Sequence, residues 1–145
     1  MPASDHYDLF LAAGLRQPGC MDRNERIVEV AERLGMSVYS PGRDTIREQT
    51  LAPVDILLQN RQAIEKADIL LFVPDDAGAG VYYELGLADA LGKTIVGFSL
   101  ARVGDWGKIV EGRWALIEPE RQATNFEELD LALRALQSVR SENAI

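Results

Sequence analysis

Residues 68–98, DILLFVPDDAGAGVYYELGLADALGKTIVGF, read as a strand, a glycine-bearing turn, a helix and a second strand in direct succession. DILLFV (68–73) is an unbroken apolar run opened by an acid, the pattern of a strand buried on both faces. PDDAGAG (74–80) supplies turn chemistry, and VYYELGLADAL (81–91) has the length of a helix. That helix is apolar nearly all the way round, with Glu84 and Asp89 its only charges, so it is expected to show little surface to solvent. Gly92 and Lys93 suit its end, glycine past the last turn and a cation at the negative pole of the dipole. TIVGF (94–98) is a short β-branched strand. Glu84 then falls in the first turn of a buried helix, just outside the carboxyl end of a strand, where open α/β sheets bind ligands. A glutamate there can simply satisfy the helix dipole. In the apolar company of Val81, Leu85, Leu87 and Ala88, however, a carboxylate is costly to desolvate, and a functional reading outweighs that one.

Outward from this unit the same alternation continues. YDLFLAA (7–13) is a buried strand and GLRQPG (14–19) a turn. MDRNERIVEVAERLG (21–35) is an amphipathic helix with Ile27, Val30, Ala31 and Leu34 as its stripe and Gly35 as its stop. MSVYS (36–40) is a second strand, followed by a polar loop over 41–52. Pro53 fits the first position of a helix over 54–67, in which Asn60 interrupts the stripe of Leu57, Ile64 and Ala67. Downstream, 100–114 is a mixed segment with glycine and tryptophan, WALIE (114–118) reads as a fifth strand, and Asn125 with Glu128 makes an N-x-x-E cap for a helix over 126–140. The order implies an α/β fold in three layers, a flavodoxin-like or Rossmann-like sandwich with a five-stranded parallel sheet in the order 2-1-3-4-5. The active crevice is expected between the ends of strands 1 and 3, which brings the 14–19 loop beside the 75–80 loop.

The 145 residues suit one domain spanning 1–145. Hydrophobic residues at 47% and charged ones at 26% place the chain among globular proteins. A net charge of −8 with no basic run argues against duplex nucleic acid or an anionic membrane as partner. A small phosphorylated ligand remains open, because helix-terminal N–H groups can hold it. The single cysteine, Cys20, rules out an internal disulfide, and with no signal-like start it points to the cytoplasm. His6 is the only histidine, so neither a zinc site nor a histidine-based triad is expected, and no metal or cofactor is implied.

Gly78-Ala79-Gly80 imitates the opening of a dinucleotide fingerprint, but Tyr83 stands at the third glycine position and the unit is third in the chain. A Walker-type phosphate loop is lacking. A phosphate-accepting Asp75 or Asp76 would leave the apolar helix and its glutamate unexplained.

AIEKADILLFVPDD followed by GVYYELGLADALGK resembles the signature of the nucleoside 2-deoxyribosyltransferase family and its nucleotide N-hydrolase relatives. FLAAG (10–14) is similar to their first strand and loop, so the likeness runs over roughly residues 9–136. It implies an enzyme in which Glu84 is the nucleophile, attacking C1′ of a deoxyribosyl unit as the base leaves and forming a glycosyl ester. An acceptor base (transfer) or water (hydrolysis) then releases the sugar. A nucleotide-binding module without catalysis stands as a further alternative. The implied partners are a nucleoside or nucleotide and a free base, and the implied assembly is a homodimer or higher homo-oligomer. Around Glu84 the resemblance points to Asn60, which occupies the position of a family aspartate and can hydrogen-bond but not carry a proton. Phe10 stands where many transferases have tyrosine, and Gly78 stands near where an acid grips the sugar. Gly80 and Asp76 share that short turn, which is more like the hydrolase branch. Gly14 and Arg16 are similar to that branch's phosphate-facing loop, with Arg16 toward a 5′-phosphate. Arg43 and Asp44 fit either a base-facing or an ordinary exposed loop, and Tyr83 fits either base stacking or packing.

Overall fold

The computed structural model describes residues 5–45, 51–101 and 106–143. In chain order these form β1 (Tyr7–Ala12), α1 (Cys20–Arg33), β2 (Val38–Tyr39), α2 (Pro41–Asp44), α3 (Pro53–Lys66), β3 (Ala67–Phe72), α4 (Ala79–Ala90), β4 (Thr94–Phe98), α5 (Lys108–Ala115), β5 (Gln122–Ala123) and α6 (Phe126–Asn143). The five strands form one sheet in the order β2-β1-β3-β4-β5, and every neighbouring pair is parallel.

β3 lies at the centre because both its faces are apolar. Its side chains alternate between two cores with the period of a strand. Ile69 and Leu71 join Leu9, Leu11, Val96 and Phe98 under α1 and α6, whose Ile27, Ala31, Leu129 and Leu133 close that side. Leu70 and Phe72 join Phe10, Ala12 and Ile95 on the other face, covered by Ile64 of α3, Val81, Leu85 and Ala88 of α4, and Trp114 of α5. The register pairs Leu9 with Ile69 and Leu11 with Leu71, so a one-residue slip would turn each row to the wrong core.

The helix stops follow from local chemistry. Gly35 (φ 81°) and Gly92 (φ 72°) take the left-handed conformation one residue past the C-caps of α1 and α4. At each end two backbone bonds complete the Schellman pattern: Met36 N to Ala31 O with Gly35 N to Glu32 O, and Lys93 N to Ala88 O with Gly92 N to Asp89 O. Gly92-Lys93-Thr94 thus ends a helix rather than cradling a phosphate, and Lys93 Nζ donates to Glu65 O at 2.9 Å. Asn125 Oδ1 accepts from Glu128 N at 2.8 Å, as the N-x-x-E pattern implies; the Glu128 carboxylate turns to Thr124 N at 2.7 Å.

Three expectations are corrected. WALIE is not a strand: α5 runs through Ala115, and the buried residues of this stretch are Trp114 and Ile117, three apart, while Leu116 is 76% exposed. That is helical spacing, which a short apolar run does not distinguish from a strand. The fifth strand is instead Gln122–Ala123, and Gln122 Nε2 donates to Trp114 O at 3.0 Å and Ile117 O at 2.7 Å. The loop after β2 begins with a helical turn, Pro41–Asp44. Finally, α4 is not covered all round, since Tyr83 is 48% and Leu91 47% exposed. Among the described residues no helix is long and apolar enough to cross a membrane.

Gly97 in β4 lies directly beneath the Trp114 ring, where a Cβ would overlap the indole. Gly97→Ala is expected to destabilise by about 1–3 kcal/mol through overpacking, read as a Tm lower by several degrees. Gly112→Ala in α5, where a Cβ meets open space, should raise Tm slightly.

Candidate active site

β1 and β3 are neighbours whose following connections diverge, to α1 on one face and α4 on the other, and a cleft opens at their carboxyl ends. Gly14 approaches the Asp76 carbonyl so closely that any side chain at 14 would collide with it. Asn24 of α1, buried, donates from Nδ2 to Gly14 O at 3.1 Å, and Arg23 reaches Gly14 O and Asp75 O, each at 3.4 Å. Asp75 is engaged on the other side, its carboxylate accepting from Ser99 Oγ (2.6 Å), Leu100 N (2.9 Å) and Ala101 N (3.2 Å). An aspartate so committed to backbone and side-chain donors is poorly placed to accept a phosphoryl group. Asp76 holds the turn in the left-handed region (φ 58°), a conformation aspartate tolerates better than most residues.

The cleft encloses about 770 Å³. Its wall includes Gly14, Arg16 and Gln17 from the loop after β1, and Asp76, Gly78 and Gly80 from the turn after β3. Ile56 and Asn60 of α3 and Val81 and Glu84 of α4 complete it. α4 begins at Ala79, two residues earlier than its apolar run suggests, so Glu84 lies in the second turn rather than the first. There the dipole's help has largely faded. Desolvation dominates and pushes the Glu84 carboxyl up to about 7, with the Asn60 hydrogen bond opposing it. Asn60 Nδ2 donates to Glu84 Oε2 at 3.2 Å. Asn60 Oδ1 in turn accepts from Thr45 Oγ1 at 2.6 Å, and Thr45 meets the Tyr39 hydroxyl at 2.9 Å.

Of the residues singled out from sequence, Glu84, Asn60, Gly14, Arg16, Asp76, Gly78 and Gly80 line this cleft. Four lie elsewhere. Phe10 is fully buried and stacks on Tyr39, ring centroids 5.6 Å apart and 8° from parallel. Arg43 and Asp44 bind each other (Nε to Oδ1, 2.8 Å) and the chain around them: Arg43 Nη2 donates to Val38 O at 2.7 Å, and Asp44 Oδ2 accepts from Ser40 N at 2.8 Å. They brace the turn after β2. Tyr83 points outward from α4, since 83 and 84 are a hundred degrees apart on a helix and only one of them can face the cleft. Sequence reading missed Thr45 and Tyr39, although Tyr39 closes the second strand at the ligand-binding edge.

The start of α4 offers a place for an anion. Gly78 is its N-cap, no acid occupies its first turn, and the backbone of 78–80 lines the cleft together with Arg16. The described His, Cys, Asp and Glu side chains make one grouping of metal-ligating type, His6 with Asp8 and Asp68, at the opposite ends of β1 and β3.

The fold has relatives. The sequence model of the nucleoside 2-deoxyribosyltransferase family matches residues 9–112. No curated protein matches the chain. Among solved structures, a 2-deoxyribosyltransferase from Leishmania mexicana is 19% identical over 65% of this chain and 65% of its own, with a TM-score of 0.52. The chain therefore spans just under two thirds of that transferase. A CMP N-glycosidase from Clostridium botulinum is 16% identical over 91% of this chain and 98% of its own, with a TM-score of 0.56. A conserved protein from Enterococcus faecalis gives 19% identity, coverage of 90% and 87%, and a TM-score of 0.60. At such identities the likeness is one of fold. The family match covers most of the sequence, and the chain belongs to the nucleoside 2-deoxyribosyltransferase family.

Proposed function

We propose that this protein breaks the N-glycosidic bond of 2′-deoxynucleosides through Glu84 and passes the sugar to an acceptor base. The observation that carries the reading is one desolvated carboxylate, hydrogen-bonded to a neutral amide, in the wall of a cleft large enough for a nucleoside. The ionised oxygen attacks C1′; the C–N bond breaks, its electron pair leaves with the base, and the base takes a proton from solvent water. A second base then attacks C1′ through nitrogen, releasing Glu84 and losing a proton, so the anomeric configuration is restored. The oxocarbenium-like transition state gains from a fixed negative charge close by, and a shielded wall slows discharge of the ester by water. Asn60 supplies a donor to the carboxylate but no proton to the departing base.

A second reading, hydrolysis of nucleoside 5′-monophosphates, is supported by Arg16 beside the acid-free start of α4. It also draws support from the near-complete overlap with the CMP N-glycosidase. In that reading water replaces the acceptor base. In either, a second copy of the chain would cover the outer face of α3 and α4, where Val54, Leu57, Leu58, Tyr83 and Leu91 are exposed.

Incubation with deoxyadenosine or deoxyuridine, with and without a free base, separates the outcomes by chromatography. A new nucleoside supports transfer, free base alone supports hydrolysis, and binding without turnover leaves only a binding module. Glu84→Gln should lower turnover by roughly 10³-fold or more while the protein stays folded. Arg16→Ala should raise KM for the 5′-monophosphate at least tenfold and leave the nucleoside unaffected; equal effects on both would remove the phosphate reading.

The pH dependence has a definite sign. Glu84 is the nucleophile only when ionised, so kcat/KM should rise through about pH 7. Its folded-state pKa lies above the ordinary 4.5, so ionised Glu84 destabilises the fold as pH rises from 4.5, fully above about 7. Glu84→Gln should therefore be more stable than the parent at pH 8 by up to about 3 kcal/mol, read as a higher Tm, with the gain vanishing near pH 4.5.

A further inference from the structure

Tyr39 and Thr45 touch Glu84 only through another residue, yet they form one line of hydrogen bonds with it. Tyr39 Oη and Thr45 Oγ1 are 2.9 Å apart, Thr45 Oγ1 and Asn60 Oδ1 2.6 Å, and Asn60 Nδ2 and Glu84 Oε2 3.2 Å. We propose that Tyr39 and Thr45 are positioning residues, a relay that fixes the orientation of the Asn60 amide and thereby holds the Glu84 carboxylate in its ionised, attacking state. The inference rests on the reading of Glu84 as nucleophile and deepens it.

The direction of the line is set from its ends. An ionised carboxylate only accepts, so Asn60 must present its NH₂ to Glu84 and its carbonyl to Thr45. Thr45 has one hydroxyl proton, which the amide carbonyl takes, so Tyr39 must donate to Thr45. Reversing the line would need a protonated Glu84 and would end on the phenol oxygen as acceptor, its weaker role. Tyr39 is suited to donating: it is 7% exposed, and burial pushes its phenol above the ordinary 10, so it keeps its proton. Its ring is clamped by Phe10, stacked at 5.6 Å, and by Tyr7, edge-on at 5.3 Å. Thr45 is 3% exposed, which leaves its hydroxyl little access to water as a substitute partner.

The arrangement also gives Phe10 a part. Phe10 has no hydroxyl of its own, but it stacks on Tyr39 and holds the ring whose hydroxyl begins the relay. The charged and titratable groups nearby are Arg16 and Asp76, across the cleft, and Asp44 and Tyr7, which act on Tyr39 through space. Conservative changes at 39 and 45 leave all four in place.

The test is the titration of the Glu84 carboxyl carbon, followed by NMR on protein labelled at glutamate, with the pH profile of kcat/KM beside it. Thr45→Val frees the Asn60 amide to turn its donor away from Glu84 and should raise the midpoint of Glu84 by up to about one unit, the worth of the Asn60 hydrogen bond to the charged carboxylate. Its kcat/KM should fall about tenfold at pH 6.5, below the shifted midpoint, and return toward the parent's at pH 9. Thr45→Ser keeps the hydroxyl and should titrate like the parent. Tyr39→Phe should move the midpoint in the same direction by less. A midpoint unmoved in Thr45→Val and Tyr39→Phe overturns the relay, as does a shift in Thr45→Ser equal to that in Thr45→Val. If Thr45→Val does not fold, Thr45→Ser against Tyr39→Phe decides the matter alone. Undiminished turnover by Glu84→Gln is a different result: it removes the nucleophile, whereas the titration reads the relay whether or not the protein turns over substrate.

Discussion

The Asp76 carbonyl passes over Gly14 with no room for a side chain between them, and the working edge of the molecule depends on that contact. It locks the connection after β1 to the connection after β3 where the two part toward opposite faces of the sheet. Asn24 and Arg23 hold the first loop from below, and Asp75 ties the second to the backbone after β4. Three consecutive strand ends are thus joined by short polar bonds around an open space. The cleft is what remains when two crossovers leave a parallel sheet in different directions and cannot fill the gap between them.

Against this frame the glutamate is held by opposing effects. Burial among apolar side chains favours its neutral form, and one amide donor favours the charged one. The helix dipole contributes little, because α4 starts two residues before the apolar run and carries Glu84 beyond the first turn. Burial prevails, with the carboxyl pushed up to about 7, poised between its two forms at neutral pH. A carboxylate more strongly stabilised would be a poorer nucleophile, and one wholly desolvated would stay protonated. The compromise destabilises the fold somewhat, as burial of an ionisable group does.

The second layer of helices shows the same tension at its outer surface. α4 is apolar on more faces than this chain covers, leaving Tyr83 and Leu91 exposed, as are Val54, Leu57 and Leu58 of α3. One row of α4 faces the sheet, Glu84 faces the cleft, and the remaining row looks out. A helix of three apolar rows on a two-sided layer leaves one row uncovered.

Much of this was legible before any coordinates. The doubly buried run at 69–73, the amphipathic stripe of Ile27 and Ala31, the glycines at 35 and 92 and the cap at Asn125 are local signals, each acting within a few residues through backbone sterics or periodicity. Together they give alternating strands and helices, hence a parallel α/β sheet, and place Glu84 at the carboxyl edge of its strand. Other features are decided by partners distant in sequence. Trp114 and Ala115 end a helix, with the Trp114 ring packed on Gly97, rather than opening a strand, and a two-residue strand at Gln122 has too little pattern to announce itself. Arg43 and Asp44 turned to each other and to β2 rather than to the cleft because backbone donors and acceptors lay within reach. The line from Tyr39 to Glu84 joins β2, the residue after α2, α3 and α4, which meet only when the sheet and its helices are assembled. The chain's local chemistry thus names the acid and its place on the edge, while its ionisation and its partners belong to tertiary structure, because desolvation and hydrogen-bond direction depend on which surfaces close around it.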